Sequence, residues 1–171
     1  MNDSQDDVLT FWFEETHAAQ WFQVNPEFDA LVREKFSDIY DKGRRGILDD
    51  WRRDADGCLA LCIVLDQFPR NMFRGTRDAF TTDAQGLVAA KYAVAKGFDQ
   101  VLPPLKRRFI YLPYEHSENL NDQRKCVELC EKMKKDDPLG HEYALRHLKV
   151  IERFSRFPHR NIILGRISTP E

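Results

Sequence analysis

What this chain has little of narrows it first. Its formal net charge is only −2, from 26 Lys and Arg against 28 Asp and Glu. That balance argues against a nucleic-acid binder working through bulk positive charge, leaving room only for a local basic patch. No apolar run approaches the roughly 20 residues needed to cross a bilayer; the longest, Cys58 to Leu65, reads as a buried helix. The opening, Met1-Asn2-Asp3-Ser4-Gln5-Asp6-Asp7, is acidic and polar, unlike a signal peptide. The expectation is a cytoplasmic protein with no membrane partner.

Cysteine is scarce too. Cys58/Cys62 and Cys126/Cys130 form two pairs spaced i, i+4, one helix face each. A four-thiolate zinc site is conceivable from them, but the tight Cys-x-x-Cys knuckle of structural zinc sites is missing. Buried thiols are expected and zinc is not. The chain has no P-loop, Rossmann glycine fingerprint, Gly-x-Ser-x-Gly elbow or His-Glu-x-x-His, which disfavours nucleotide, serine-hydrolase and zinc-protease chemistry. The alternating pattern of strands is almost absent.

What is there suits one helical domain over residues 1–171. The composition is 42% hydrophobic and 12% aromatic, with twelve Phe, and a chain of this length buries roughly two-thirds of its unfolded surface. Asn25-Pro26 is a cap followed by proline at the first helical position. Phe28, Leu31, Val32, Phe36, Ile39 and Tyr40 then recur at helical spacing, with Gly43 read as the stop. Gly57 to Phe68 is apolar nearly all round. Another helix spans Asp83 to Lys96 and stops at Gly97. Pro103-Pro104 introduces Leu105 to Leu112, Ser117 is read as the cap of a helix to about Lys135, and Pro138 opens one bearing Tyr143, His147, Ile151 and Phe154. The fold class is all-α, an array of antiparallel helices.

One stretch echoes another. Phe68-Pro69-Arg70-Asn71 and Phe157-Pro158-His159-Arg160-Asn161 both lead into Arg-Asn-x-x-x-Gly, ending at Gly75 and Gly165. Similar helix-stop turns, with Asn capping and Gly at positive φ, explain this as well as a pair of loops presenting guanidinium groups to one groove. Arg70, Arg74, Arg156 and Arg160 flank the loops, and guanidinium forks suit carboxylates and phosphates. Either they form an ion-pair network with a buried partner such as Asp66, or they bind an anion, with Asn71 and Asn161 beside them. His147 shares a helix face with Tyr143, Ile151 and Phe154 and is expected to point inward. His116 sits between Glu115 and Glu118, either of which could fix its tautomer and make it a general base. His159 adjoins Arg160 and suits an anion. His17 and His141 have no supporting constellation and are expected to be solvated.

Three segments carry a family resemblance: Leu65-Asp66-Gln67-Phe68-Pro69-Arg70-Asn71, Tyr111-Leu112-Pro113-Tyr114-Glu115-His116-Ser117-Glu118, and Arg156-Phe157-Pro158-His159-Arg160-Asn161. With Val8-Leu9-Thr10-Phe11-Trp12-Phe13 they resemble the bacterial and fungal domain-of-unknown-function family 924 over nearly the whole chain. The resemblance implies a fold similar to tetratricopeptide arrays. One branch looks like haem-dependent hydroxylases of the tryptophan indole ring, using dioxygen or hydrogen peroxide, which implies haem as cofactor and a small aromatic amino acid as substrate. The iron ligand then expected is His147, with His116 or His159 as alternatives, and Tyr143, Arg156 and Arg160 completing the haem site. His116, with Glu115 and Glu118, would deliver protons. The substrate would lie near Trp12, Trp21 or Phe73, with its carboxylate on Arg70 or Arg160. A homodimer is left open, as is a non-enzymatic module whose Arg-lined groove binds a peptide or an acidic metabolite. Family members read His-Arg-Asp where this chain has His147-Leu148-Lys149, and Phe-Gly-Arg where it has Phe154-Ser155-Arg156. They tend to run on past Glu171, so a short last segment is expected to be missing.

Overall fold

Caps and prolines place most of the helix starts. In this computed structural model, which describes residues 4–170, α1 (Gln5–Thr10) begins in a capping box between Ser4 and Asp7. Asn25 Oδ1 accepts from the amides of Glu27 and Phe28 to start α2 (Pro26–Arg44). Asp54 caps α3 (Ala55–Cys62), which runs through a π-helical turn, Ile63–Gln67, into α4 (Phe68–Met72). The chain continues through α5 (Asp83–Lys96), α6 (Phe98–Val101), α7 (Pro104–Glu115), α8 (Leu120–Lys132), α9 (Pro138–Phe154) and α10 (Asn161–Leu164). A second π-helical turn, Phe11–Glu15, and short 3-10 turns complete it, and no strand occurs among the described residues. The fold is all-α, as the caps and prolines implied.

Two boundaries differ from the expectation. Gly43 does not stop α2 but lies inside it; a Cβ there would sit 3.1 Å from Val64 Cγ1 and 3.2 Å from Leu65 Cδ2. Its role is close approach of helices, and Gly46, at φ +75°, makes the turn beyond. Ser117 does not cap α8. Asn119 does, through the amides of Asn121 and Asp122, while Ser117 Oγ accepts from the amide of Asn119 one step upstream. Gly97, at φ +72°, closes α5 as expected.

Helix α3 is the central element. Every residue from Gly57 to Pro69 is buried, because α1, α5 and α7 all pack on α3 and α2 packs on α4. Helix α7 in turn packs on α5 and α8, and α8 on α9. Trp12, with 0% exposure, sits among Trp21, Phe28, Phe68 and Phe109, with ring centroids 5.7 to 6.3 Å away. All four cysteines are free thiols in the core. Among the described residues, no helix is long and apolar enough to cross a membrane.

The Ile63–Gln67 π turn sets the direction of two buried polar side chains. Phe68 N–H reaches back five residues to the Ile63 carbonyl, so one extra residue is accommodated and the side chains of Asp66 and Gln67 are re-aimed. Pro69 then has no N–H to give the Leu65 carbonyl. Thr82 Oγ1 donates to that carbonyl instead, at 2.5 Å, which ties the start of α5 to α4.

Candidate functional site

Asp66, only 1% exposed, is the centre of a charged interior cluster. His116, just after α7, brings Nδ1 to 2.8 and 2.9 Å from its two carboxylate oxygens. Gln67 Nε2 donates to Asp66 Oδ2 at 2.7 Å. Arg70 Nη1 donates to the Asp66 backbone carbonyl at 2.7 Å and lies 3.3 Å from Oδ1. Burial is the largest influence on Asp66 and would raise its pKa, but Arg70 and His116 together outweigh it and hold the carboxyl below the usual range. Burial, seconded by Arg70, pushes His116 down, so its imidazole is neutral at neutral pH. Its Nδ1–H then donates to Asp66, and Nε2 has no partner among the described residues.

The two Arg-Asn loops meet here. Arg70 forms a fork with Asp83, at 2.7 and 3.0 Å, and Arg160 approaches the same carboxylate at 3.5 Å. Both guanidiniums lie over the Phe80 ring, 5.5 and 4.5 Å from its centroid. Arg160 also donates from Nη2 to the His116 carbonyl at 3.1 Å, yet its Nε, buried, has no partner among the described residues. Burial and the neighbouring Arg70 lower its pKa. Arg160, Asp83, Phe80 and His116, with Arg77 and Glu118, wall a groove of about 570 Å³, while Arg70 lines a separate, smaller hollow on which His116 also opens. The groove's volume falls in the range of small-molecule sites.

Other expected residues are placed differently. Neither Glu115 nor Glu118 orients His116. Glu118 is held by Arg166 at 2.7 and 2.9 Å and accepts from the Phe157 amide. Glu115 is buried beside a different histidine, with Oε1 3.3 Å from His147 Nδ1. Burial pushes its pKa up to about 7 against the opposing pull of Arg108. His147 is half-buried rather than inward, because Tyr143 on its stripe is exposed and Nδ1 is tied to the Tyr143 carbonyl at 2.9 Å. Its ring meets the edge of Phe157 at 5.5 Å, and His159, on the surface, leans on the same ring at 5.7 Å.

Asn71 and Arg74 turn away from the groove to Asp29, on α2, at 2.6 to 2.9 Å. Asn161 accepts from Arg166 and caps nothing, because it already lies within α10; only the glycines of the echo, at φ +80° and +67°, match the turn reading. Arg156 is exposed beside a separate hollow with Phe154 and Pro158. Phe73 faces Tyr40 at 5.4 Å in another. Trp12 is sealed in the core and cannot stack on a substrate while the core is closed. His141 is buried rather than solvated, its Nε2 2.5 Å from Glu131, and His17 caps a 3-10 turn at the surface.

Three supporting residues were not legible as site components: Asp83, Gln123 and Arg166. Gln123, with 0% exposure, donates from Nε2 to the carbonyls of Glu115 and Ser117, both at 2.6 Å. It thereby pins the loop carrying His116. The available signal was a lone Gln on the apolar face of α8.

Comparison with other proteins bears on identity. The chain belongs to a family of bacterial proteins of unknown function, DUF924, whose model matches residues 8–171. It is also similar to a solved structure, a protein of unknown function from Agrobacterium tumefaciens, at 37% identity and a TM-score of 0.92. The match covers 97% of this chain and 92% of that one. No curated protein matches.

Proposed function

We propose that the groove beside His116 is the active site of an enzyme acting on a carboxylate-bearing aromatic small molecule. The observation that carries this reading is the buried Asp66–His116 pair, its imidazole held neutral with Nε2 unpartnered beside the under-neutralised Arg160. A carboxylate fixing one ring nitrogen orients the other for proton transfer or for a metal. The rival, a non-enzymatic module for a peptide or acidic metabolite, needs only the guanidinium groups and gives the buried pair no role.

The finer proposal is hydroxylation of an aromatic amino acid, tryptophan foremost, with haem and either dioxygen or peroxide. Its support is the family resemblance together with the donor chemistry of His116, which would suit it to hold haem iron: neutral imidazole, oriented nitrogen, buried carboxylate behind it. Haem, when bound, supplies the oxygen chemistry. On this reading Asp66 holds the tautomer and Arg160 and Arg77 receive carboxylates. The ligand role moves from His147, which does not line the groove, to His116, which does. Glu115 and His147, at 3.3 Å, form a second proton-holding pair behind the His116 loop.

Adding haem to the purified protein tests this directly. A stoichiometric Soret band that disappears in His116→Ala, but survives in His147→Ala with unchanged circular dichroism, supports the assignment. Retention in His116→Ala and loss in His147→Ala reverses it. A protein that binds no haem yet binds L-tryptophan or benzoate through Arg160 keeps the groove and removes the haem. Failure of both probes leaves the rival module.

A further inference from the structure

Helix α7 ends at Glu115, and a helix end leaves carbonyls without an amide to bond them. No backbone amide among the described residues bonds the carbonyls of Glu115, His116 or Ser117. All three are nevertheless held, by side chains from two different places. Gln123 Nε2, on α8, donates to the carbonyls of Glu115 and Ser117, both at 2.6 Å. Arg160 Nη2, from the second Arg-Asn loop, donates to the His116 carbonyl at 3.1 Å. The residue bracketed on both sides is the histidine that opens on the groove.

The two holds differ in character. Gln123 is sealed, with 0% exposure, and does not line the groove. Both protons of its amide nitrogen are engaged, which fixes its orientation, and its Oε1 is left buried with no partner among the described residues. An unmet acceptor in a core is costly. An apolar side chain would avoid that cost but would release the two carbonyls. Arg160 is clamped too, its guanidinium lying between the rings of Phe80 and Phe157 at 4.5 and 4.7 Å, but it faces the groove. Its contact with Asp83 is long, at 3.5 Å, so a carboxylate entering the groove meets donors that are not fully engaged.

We infer that Gln123 is a positioning residue that fixes the backbone on either side of His116, and that Arg160 is a ligand-responsive hold that links an anion in the groove to the His116 carbonyl between them. The Arg160 half rests on the reading of the groove as a carboxylate site. The Gln123 half does not.

Nuclear magnetic resonance of isotope-labelled protein reads both halves. On titration with benzoate, the His116 carbonyl carbon is expected to shift while those of Glu115 and Ser117 stay in place. Arg160→Gln should weaken benzoate roughly tenfold or more, the worth of a hydrogen bond to a charged group. Joint movement of all three carbonyls, or a silent His116 carbonyl with benzoate bound, overturns the coupling. Gln123→Met, similar in shape and without a donor, is examined with no ligand present. The His116 ring N–H, donated to Asp66 at 2.8 and 2.9 Å, should then exchange with water roughly tenfold faster, equivalent to about one net hydrogen bond. The Trp21 indole N–H, donated to the Trp12 carbonyl at 2.9 Å, should keep its rate. An unchanged rate at His116, or an equal acceleration at Trp21, overturns the positioning role. If benzoate fails to bind, the groove reading falls and the coupling falls with it, while the two exchange rates still decide the part of Gln123.

Discussion

Two buried carboxylates each face a histidine in this protein, and they are opposite in character. Asp66 is ionised, because Arg70 and the donors of His116 and Gln67 outweigh the effect of burial. Glu115 is nearly as deeply buried, at 6% against 1% exposure, yet burial prevails and lifts its pKa to about 7. The difference lies in the donors: Arg70, His116 and Gln67 all serve Asp66, whereas Glu115 has only Arg108 pulling its way, and Arg108 is drawn towards Asp137, 3.6 Å away. A His–carboxylate contact is therefore not one thing. With a cation behind it, it is a fixed dipole aimed at a groove; without one, it stores a proton near neutrality.

Breaking Asp66 should have the largest effect. Asp66→Asn leaves Arg70 with Asp83 as its remaining carboxylate and the His116 N–H with a poorer acceptor, and losing hydrogen bonds to a buried charged group costs about 1.5–3 kcal/mol. Urea unfolding at pH 7 is the measurement. Glu115→Gln under the same conditions should cost far less or stabilise, and equal losses in the two variants would erase the contrast.

pH sharpens the comparison, since the two carboxylates act with opposite sign. A depressed folded pKa, as at Asp66, gives stability that is present above the unfolded aspartate value and lost as pH falls below it. A raised one, as at Glu115, means that the folded state holds a proton the unfolded chain releases. Stability from Glu115 is thus full below about pH 4.5 and declines as pH rises to about 7. The loss is on the order of 3 kcal/mol at most. Glu115→Gln should flatten that decline, measured as unfolding free energy from pH 5 to 8. A profile unchanged by the substitution would show that Glu115 is ionised throughout.

The contrast also shows what a sequence can and cannot reveal. Helix identities were legible because caps, prolines and Gly97 act within a few residues, and the all-α class followed. The meeting of Arg70 and Arg160 was legible too, as one side of the open choice posed by the repeated Arg-Asn-x-x-x-Gly. The partner of His116 was not, because Asp66 lies 50 positions away and is turned towards it by a π turn that leaves no mark in hydrophobic spacing. Glu115 and Glu118 were the natural local choices, but adjacent residues at a helix end diverge in direction. Tyr143 fell on the exposed side of the His147 stripe for a related reason: α9 packs mainly on α8, so only part of its apolar face is covered.

The smallest effect concerns the helix that carries His147 alone. Helix α9 ends at Ser155, whose φ is +56°, among the described residues the one non-glycine in the left-handed region. Glycine adopts that conformation without a Cβ clash. An L side chain in it costs roughly 1–2 kcal/mol, while glycine loses more entropy on folding, so the two partly cancel. Ser155→Gly is therefore expected to raise stability by about 0.5–1 kcal/mol, read as a small upward shift in the urea midpoint with an unchanged slope. Because Ser155 touches neither carboxylate pair, the pH profile of the variant should run parallel to that of the parent from pH 5 to 8. A change in its shape would mean that the end of α9 sets the position of His147 against Glu115, and the two pairs would then differ in mechanical support as well as in charge.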